Sequence, residues 1–65
     1  MYTLKYKRYG VDGKKQFKKL KRAMDSAAVD IEFNNAYPVE IVSVMTGKVI
    51  RNHKDIVKHC HKIFG

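Results

Sequence analysis

Val11-Asp12-Gly13-Lys14-Lys15-Gln16-Phe17-Lys18-Lys19-Leu20-Lys21-Arg22-Ala23-Met24-Asp25-Ser26 is the stretch on which the fold turns. It supports two architectures. In one, a single helix runs through residues 14–35, because Phe17, Leu20, Met24, Ala27/Ala28 and Ile31 keep helical spacing. In the other, Asp12-Gly13 closes a hairpin, residues 14–21 form a second strand, and a shorter helix starts with Asp25 or Ser26 as its cap. Charge favours the second. A helix beginning at Lys14 would set Lys14, Lys15, Lys18 and Lys19 at the positive end of the macrodipole and Asp30 and Glu32 near the negative end. Each misplaced charge costs about 0.3–1 kcal/mol near a terminus. Against this, Phe17 and Leu20 do not alternate as strand residues should. The expected fold is α+β, a small antiparallel sheet with two helices in the order β-β-α-β-β-α. The alternative is β-α-β-β-α with one long first helix.

The flanks fit either architecture. Tyr2, Leu4 and Tyr6 alternate with Thr3, Lys5 and Lys7, which predicts a half-buried first strand. Val39-Glu40-Ile41-Val42-Ser43-Val44-Met45 is rich in β-branched residues and reads as a central strand. Thr46-Gly47 then reverses the chain, and Lys48-Val49-Ile50-Arg51 returns as its hairpin partner. Asn52 is the expected N-cap of a last helix, with Asp55 in its first turn. Ile56, Val57, Cys60, Ile63 and Phe64 make one apolar stripe of that helix, and Lys54, Lys58 and Lys62 lie on another face. In element order alone, without a shared motif, this closing β-β-α resembles the end of double-stranded-RNA-binding modules. No residue role is assigned from that likeness.

Size and composition set bounds. Sixty-five residues make one domain, and a chain of this length buries only about 60% of the surface its unfolded form exposes. The single cysteine, Cys60, rules out an internal disulfide and fits a reducing compartment. No apolar run approaches the ~18 residues of a membrane span, and the opening Met-Tyr-Thr-Leu-Lys-Tyr-Lys-Arg lacks the apolar core of a signal peptide. A cytoplasmic protein with no membrane partner is expected.

The net charge of +8 is distributed unevenly. Residues 1–22 hold nine Lys/Arg and one acid, Asp12. Residues 23–47 hold no Lys or Arg and four acids, Asp25, Asp30, Glu32 and Glu40. Residues 48–65 hold five Lys/Arg and Asp55. Like charges so close in sequence repel, so an external anion is implied. The opening cluster, Lys5, Lys7, Arg8, Lys14, Lys15, Lys18, Lys19, Lys21 and Arg22, is expected to neutralise phosphates of DNA or RNA without sequence preference, with Tyr9 at its rim to stack on a base. Tyr2 and Tyr6 share the Leu4 face and are expected in the core. Lys54, Lys58, His61 and Lys62 form a secondary basic stripe that lacks Arg, Asn and Gln at base-reading spacing.

Other readings compete with nucleic-acid binding. The basic face could dock on an acidic or nucleic-acid-binding surface of a larger protein, as small inhibitors and effectors of phage-like mobile elements do. It could equally be a solvated face that keeps a small domain soluble. The acidic middle could pair with the basic face inside the monomer or in a second copy, making a homo-oligomer. Chemistry has little support. His53, His59, Cys60 and His61 contain no pair at the i+3 or i+4 separation that ligands on one helix need, so neither a metal nor another cofactor is expected. Cys60 belongs to the apolar stripe and has no adjacent base facing it. No catalytic residue is assigned. A metal-independent ribonuclease using His53, Tyr9 and Arg51 is the remaining catalytic possibility.

Overall fold

The computed structural model describes residues 1–65. The chain runs β1 (Tyr2–Arg8), β2 (Val11–Phe17), α1 (Leu20–Glu32), β3 (Tyr37–Ser43), β4 (Val49–Asn52) and α2 (His53–Phe64), which is the expected β-β-α-β-β-α order of an α+β fold. The strands form one antiparallel sheet, ordered β2-β1-β3-β4. Leu4 of β1 lies opposite Ile41 of β3, and both are fully buried against Ala23, Met24 and Ala27 of α1 and Ile56 of α2. Both helices therefore cover the same face of the sheet. The other face, where Lys5 and Lys7 alternate with this core set, is open.

The first hairpin differs from expectation. Its turn is Tyr9-Gly10, not Asp12-Gly13, and its second strand is residues 11–17, not 14–21. The residues brought opposite the core positions of β1 explain the choice. A turn at Asp12-Gly13 would place Lys19 and Lys21 opposite Tyr6 and Leu4 on the core face. The observed register sets Phe17 opposite Tyr2 and Gly13 opposite Tyr6, so Phe17 joins the core and the Tyr6 ring fills the space a Gly13 side chain would take. The turn residues have φ of 53° and 76°, the positive values that two-residue hairpin loops of type I′ require.

α1 also starts earlier than a cap at Asp25 or Ser26 implies. It opens at Leu20 after Lys19, which offers no side-chain cap, and no acid lies in its first turn. Residues 14–24 are thus divided between strand and helix. Burial decides against the dipole here. Starting at Leu20 puts Ala23 and Met24 into the core beside Ala27, with Leu20 and Ile31 packed at its margin. Burying a Met or Leu side chain is worth ~1.5–3 kcal/mol, more than the ~0.3–1 kcal/mol that each misplaced charge costs.

The second half follows expectation with shifted boundaries. β3 occupies residues 37–43 instead of 39–45, because Tyr37 and Pro38 pair with Lys7 and Tyr6 across a bulge in β1–β3. Val44 and Met45 fall in the connection, which Gly47 (φ 71°) closes by donating to the Ser43 carbonyl at 2.8 Å. β4 begins at Val49, leaving Lys48 in the loop. Asn52 caps α2 through a complete capping box: its side chain accepts from the Asp55 N–H, and Asp55 accepts from the Asn52 N–H, each at 3.0 Å. Ile56 and Cys60 of the apolar stripe are buried, whereas Ile63 and Phe64 emerge into solvent past the end of the core. No helix is long and apolar enough to cross a membrane.

Candidate nucleic-acid interface

The sheet register divides the opening basic residues among several places. Lys5 and Lys7 project from the open face, and Lys14 sits directly across from Lys5. Like charges in that relation repel. Lys5 is relieved by Glu40 of β3 at 3.7 Å, while Lys7 and Lys14 have no carboxylate partner. Lys15 points the other way. Its ammonium lies over the Tyr6 ring (5.2 Å from the centroid) and 3.8 Å from Asp30, on the helix side of the sheet. The lysines of β2 therefore do not form one face.

Lys18 and Lys19 follow β2, and Lys21 and Arg22 occupy the first turn of α1. These four cations line an open cleft of about 820 Å³ together with Asp25 and Ser26. None is paired with a carboxylate. The helix N-terminus adds its own partial positive charge and uncapped N–H groups to the same spot. No other cleft of the protein is lined by more than two Lys or Arg side chains.

The hairpin tip carries the remaining members of the cluster. Arg8 lies over the Tyr9 ring, 5.5 Å from its centroid, and Tyr9 itself is 92% exposed. Tyr2 packs against the core, as expected, and Tyr6 is half-buried beneath Lys15. On α2, Lys54, Lys58, His61 and Lys62 are all exposed and unpaired.

The acidic middle is largely engaged within the chain. Glu40 holds Lys5, Asp30 holds Lys15, and Asp25 accepts from His59 Nε2 at 2.8 Å. Of fourteen Lys and Arg, only Lys5 and Lys15 gain an acidic partner.

His53, Tyr9 and Arg51 do not hydrogen-bond one another. His53 Nδ1 donates to the Pro38 carbonyl at 2.7 Å, Arg51 donates to the Ile50 carbonyl at 2.7 Å, and Tyr9 meets Arg8. Cys60 is buried with its thiol directed to the Ala28 carbonyl at 3.6 Å, and no three His, Cys, Asp or Glu side chains converge.

One group of residues escaped the sequence reading. Tyr37 stacks on His53, with centroids 4.3 Å apart and planes at 18°, and remains 54% exposed. Asn34 and Asn35 precede it in the loop after α1. The available signal was Pro38, which forces the residue before it into extended backbone and so sets Tyr37 as the first residue of a strand. Comparisons with protein-family models, curated proteins and solved structures find no match to this chain.

Proposed function

We propose that this protein binds nucleic acid without sequence preference, through phosphate contacts centred on the start of α1 and continued along the open face of the sheet. The observation that carries the reading is the cleft at Lys18, Lys19, Lys21 and Arg22. Four unpaired cations gather there around a helix end that is itself positive. Within the fold the four cations repel one another and only Asp25, itself bonded to His59, brings negative charge to the cleft, so a phosphate is a partner that offsets the excess. Lys7 and Lys14 extend the positive surface across the open face, and the α2 stripe supplies a second one. The free, buried thiol of Cys60 fits a reducing, cytoplasmic setting for this role.

A mobility-shift titration at several salt concentrations tests it. Affinity should fall steeply with salt, log K declining by about 0.9 per neutralised phosphate on duplex DNA. Replacing Lys18 and Lys21 together by Gln should flatten that slope by about 2. Absence of binding at low salt overturns the proposal. If a protein partner is then retained from nuclease-treated lysate, the basic cleft serves an acidic protein surface instead.

A further inference from the structure

A second pocket lies at the end of the sheet away from the α1 cleft. It holds about 270 Å³ and is lined by Lys7, Arg8, Tyr9, Asn34, Asn35 and Tyr37. We infer that this pocket takes one unpaired nucleobase with its adjoining phosphate, so that the preferred ligand is a single strand of RNA or DNA. The inference rests on the nucleic-acid reading above and specifies the form of the ligand.

Three observations converge on it. The first is backbone strain. Tyr9 and Asn34 are the only non-glycine residues of the chain with positive φ, at 53° and 57°, and both line this pocket. Asn tolerates that conformation, whereas a bulky aromatic rarely adopts it. The Tyr9-Gly10 turn would fold more easily as Asn-Gly. Tyr9 recovers little from burial in exchange, being 92% exposed with the Arg8 guanidinium over its ring. The turn sets the conformation, and what remains to be explained is an exposed Tyr where Asn would serve the turn better, which recognition accounts for.

The second is the aromatic platform. Tyr37 also lines the pocket, and one face of its ring rests on His53. His53 is held in turn, because its Nδ1–H donates to the Pro38 carbonyl. The Tyr37 ring is therefore backed by a fixed partner, which lowers the entropy lost when a base stacks on it. The pocket's size suits such a ligand. It lies just below the ~300–1,000 Å³ of sites for drug-sized molecules, enough for one base and its sugar-phosphate and too small for a duplex.

The third is polar complementarity. Lys7 shares a face with Tyr37 through their direct pairing across β1–β3, and neither Lys7 nor Arg8 has a carboxylate partner. They supply phosphate contacts beside the stacking ring. The exposed Asn34 and Asn35 carry amide groups able to donate to and accept from a base edge. Bases inside a duplex present no free face to stack on, so this constellation discriminates between strand states.

Fluorescence anisotropy with labelled dodecamers of mixed sequence tests the inference, using single-stranded RNA, single-stranded DNA and duplex DNA. Tyr9→Asn is the informative variant, because the turn should be at least as stable with Asn; a thermal melt confirms that it is folded. Tyr9→Asn and Tyr37→Ser should each weaken single-strand binding about five- to hundredfold, the usual range for loss of one stacked base. Duplex binding should stay within about twofold. The chain has four tyrosines and no tryptophan, so quenching of its tyrosine emission by the single strand, reduced in both variants, is an independent readout. Whichever of RNA or DNA shows the tyrosine-dependent loss identifies the source of the ligand. Unchanged single-strand affinity, or an equal drop on single strand and duplex, overturns the inference while leaving salt-dependent binding at the α1 cleft intact. Failure of the wild type to bind any of the three removes both readings.

Discussion

His59 Nε2 donates to Asp25 Oδ1 at 2.8 Å, joining α2 to α1 by a side-chain pair at the rim of the helical layer. Asp25 also lines the basic cleft, so one of its oxygens is drawn away from the lysines there. The Asp25 side chain is 42% exposed and the pair is screened by solvent. A double-mutant cycle with Asp25→Asn and His59→Gln, followed by urea denaturation, should give a coupling of only about 0.2–1 kcal/mol. Neither single variant should unfold the protein.

Lys15 and Asp30 should behave asymmetrically. Asp30 is 5% exposed, and its Oδ2 has no hydrogen-bond partner, only the Lys15 ammonium at ion-pair distance, 3.8 Å away. Lys15 is half-exposed and rehydrates readily on losing its partner. Lys15→Ala strands a buried carboxylate and should cost about 1–3 kcal/mol. Asp30→Ala removes the buried charge along with the contact and should cost clearly less. Chemical denaturation of the two variants side by side checks the order.

Gly13→Ala should destabilise the first hairpin. A β-carbon there would overlap the Tyr6 ring, which is hemmed in by Lys15 on the same face. The expected loss is about 1–3 kcal/mol. In a Tyr6→Ala background the same change should cost much less, since the clash has gone. Melting the four proteins of this cycle separates close approach from any turn preference of glycine.

Lys19→Ser should stabilise the fold and weaken phosphate binding together. It would supply the missing side-chain cap of α1, worth about 0.5–2 kcal/mol, and remove one cation from the cleft. The reverse change at the well-capped helix, Asn52→Ala, should cost a similar amount with no effect on the salt slope of binding. Thermal melts paired with salt titrations measure both quantities.

Legibility in the sequence followed how local each signal was. The Asn52 cap with Asp55 in the first turn and the apolar residues Ile56 and Cys60 are written in neighbouring residues and lie where they are expected, and the β-branched run around Ile41 forms its strand with bounds shifted by two residues. Residues 11–24 were harder, because each choice there depended on a partner distant in sequence. Whether Asp12-Gly13 turns is decided by what sits opposite Leu4 and Tyr6, and Gly13 proves to serve a cross-strand ring instead of a turn. Whether α1 opens at Leu20 is decided by the core that Ala23 and Met24 join. The cations of the cleft were visible as composition, but their grouping at a helix start was not. Tyr37 was missed for a related reason. Its partner His53 is far along the chain, and only the pairing of β3 with β4, followed directly by α2, brings the two rings together.

α1 has a role beyond covering the sheet. It starts in the basic cleft and ends at the loop that leads to Tyr37. Its thirteen residues correspond to a rod of about 20 Å at ~1.5 Å rise per residue. Ala23, Ala27 and Ala28 are fully buried on its inner side, with Met24 buried among them and Leu20 and Ile31 packed at the margin, so the helix is seated along its length. The two proposed recognition points are thus mounted at the ends of a rigid caliper. A strand bound as proposed would have to bridge that gap to engage both, and helix length, more than any single contact, would then set the shortest oligonucleotide held with full strength.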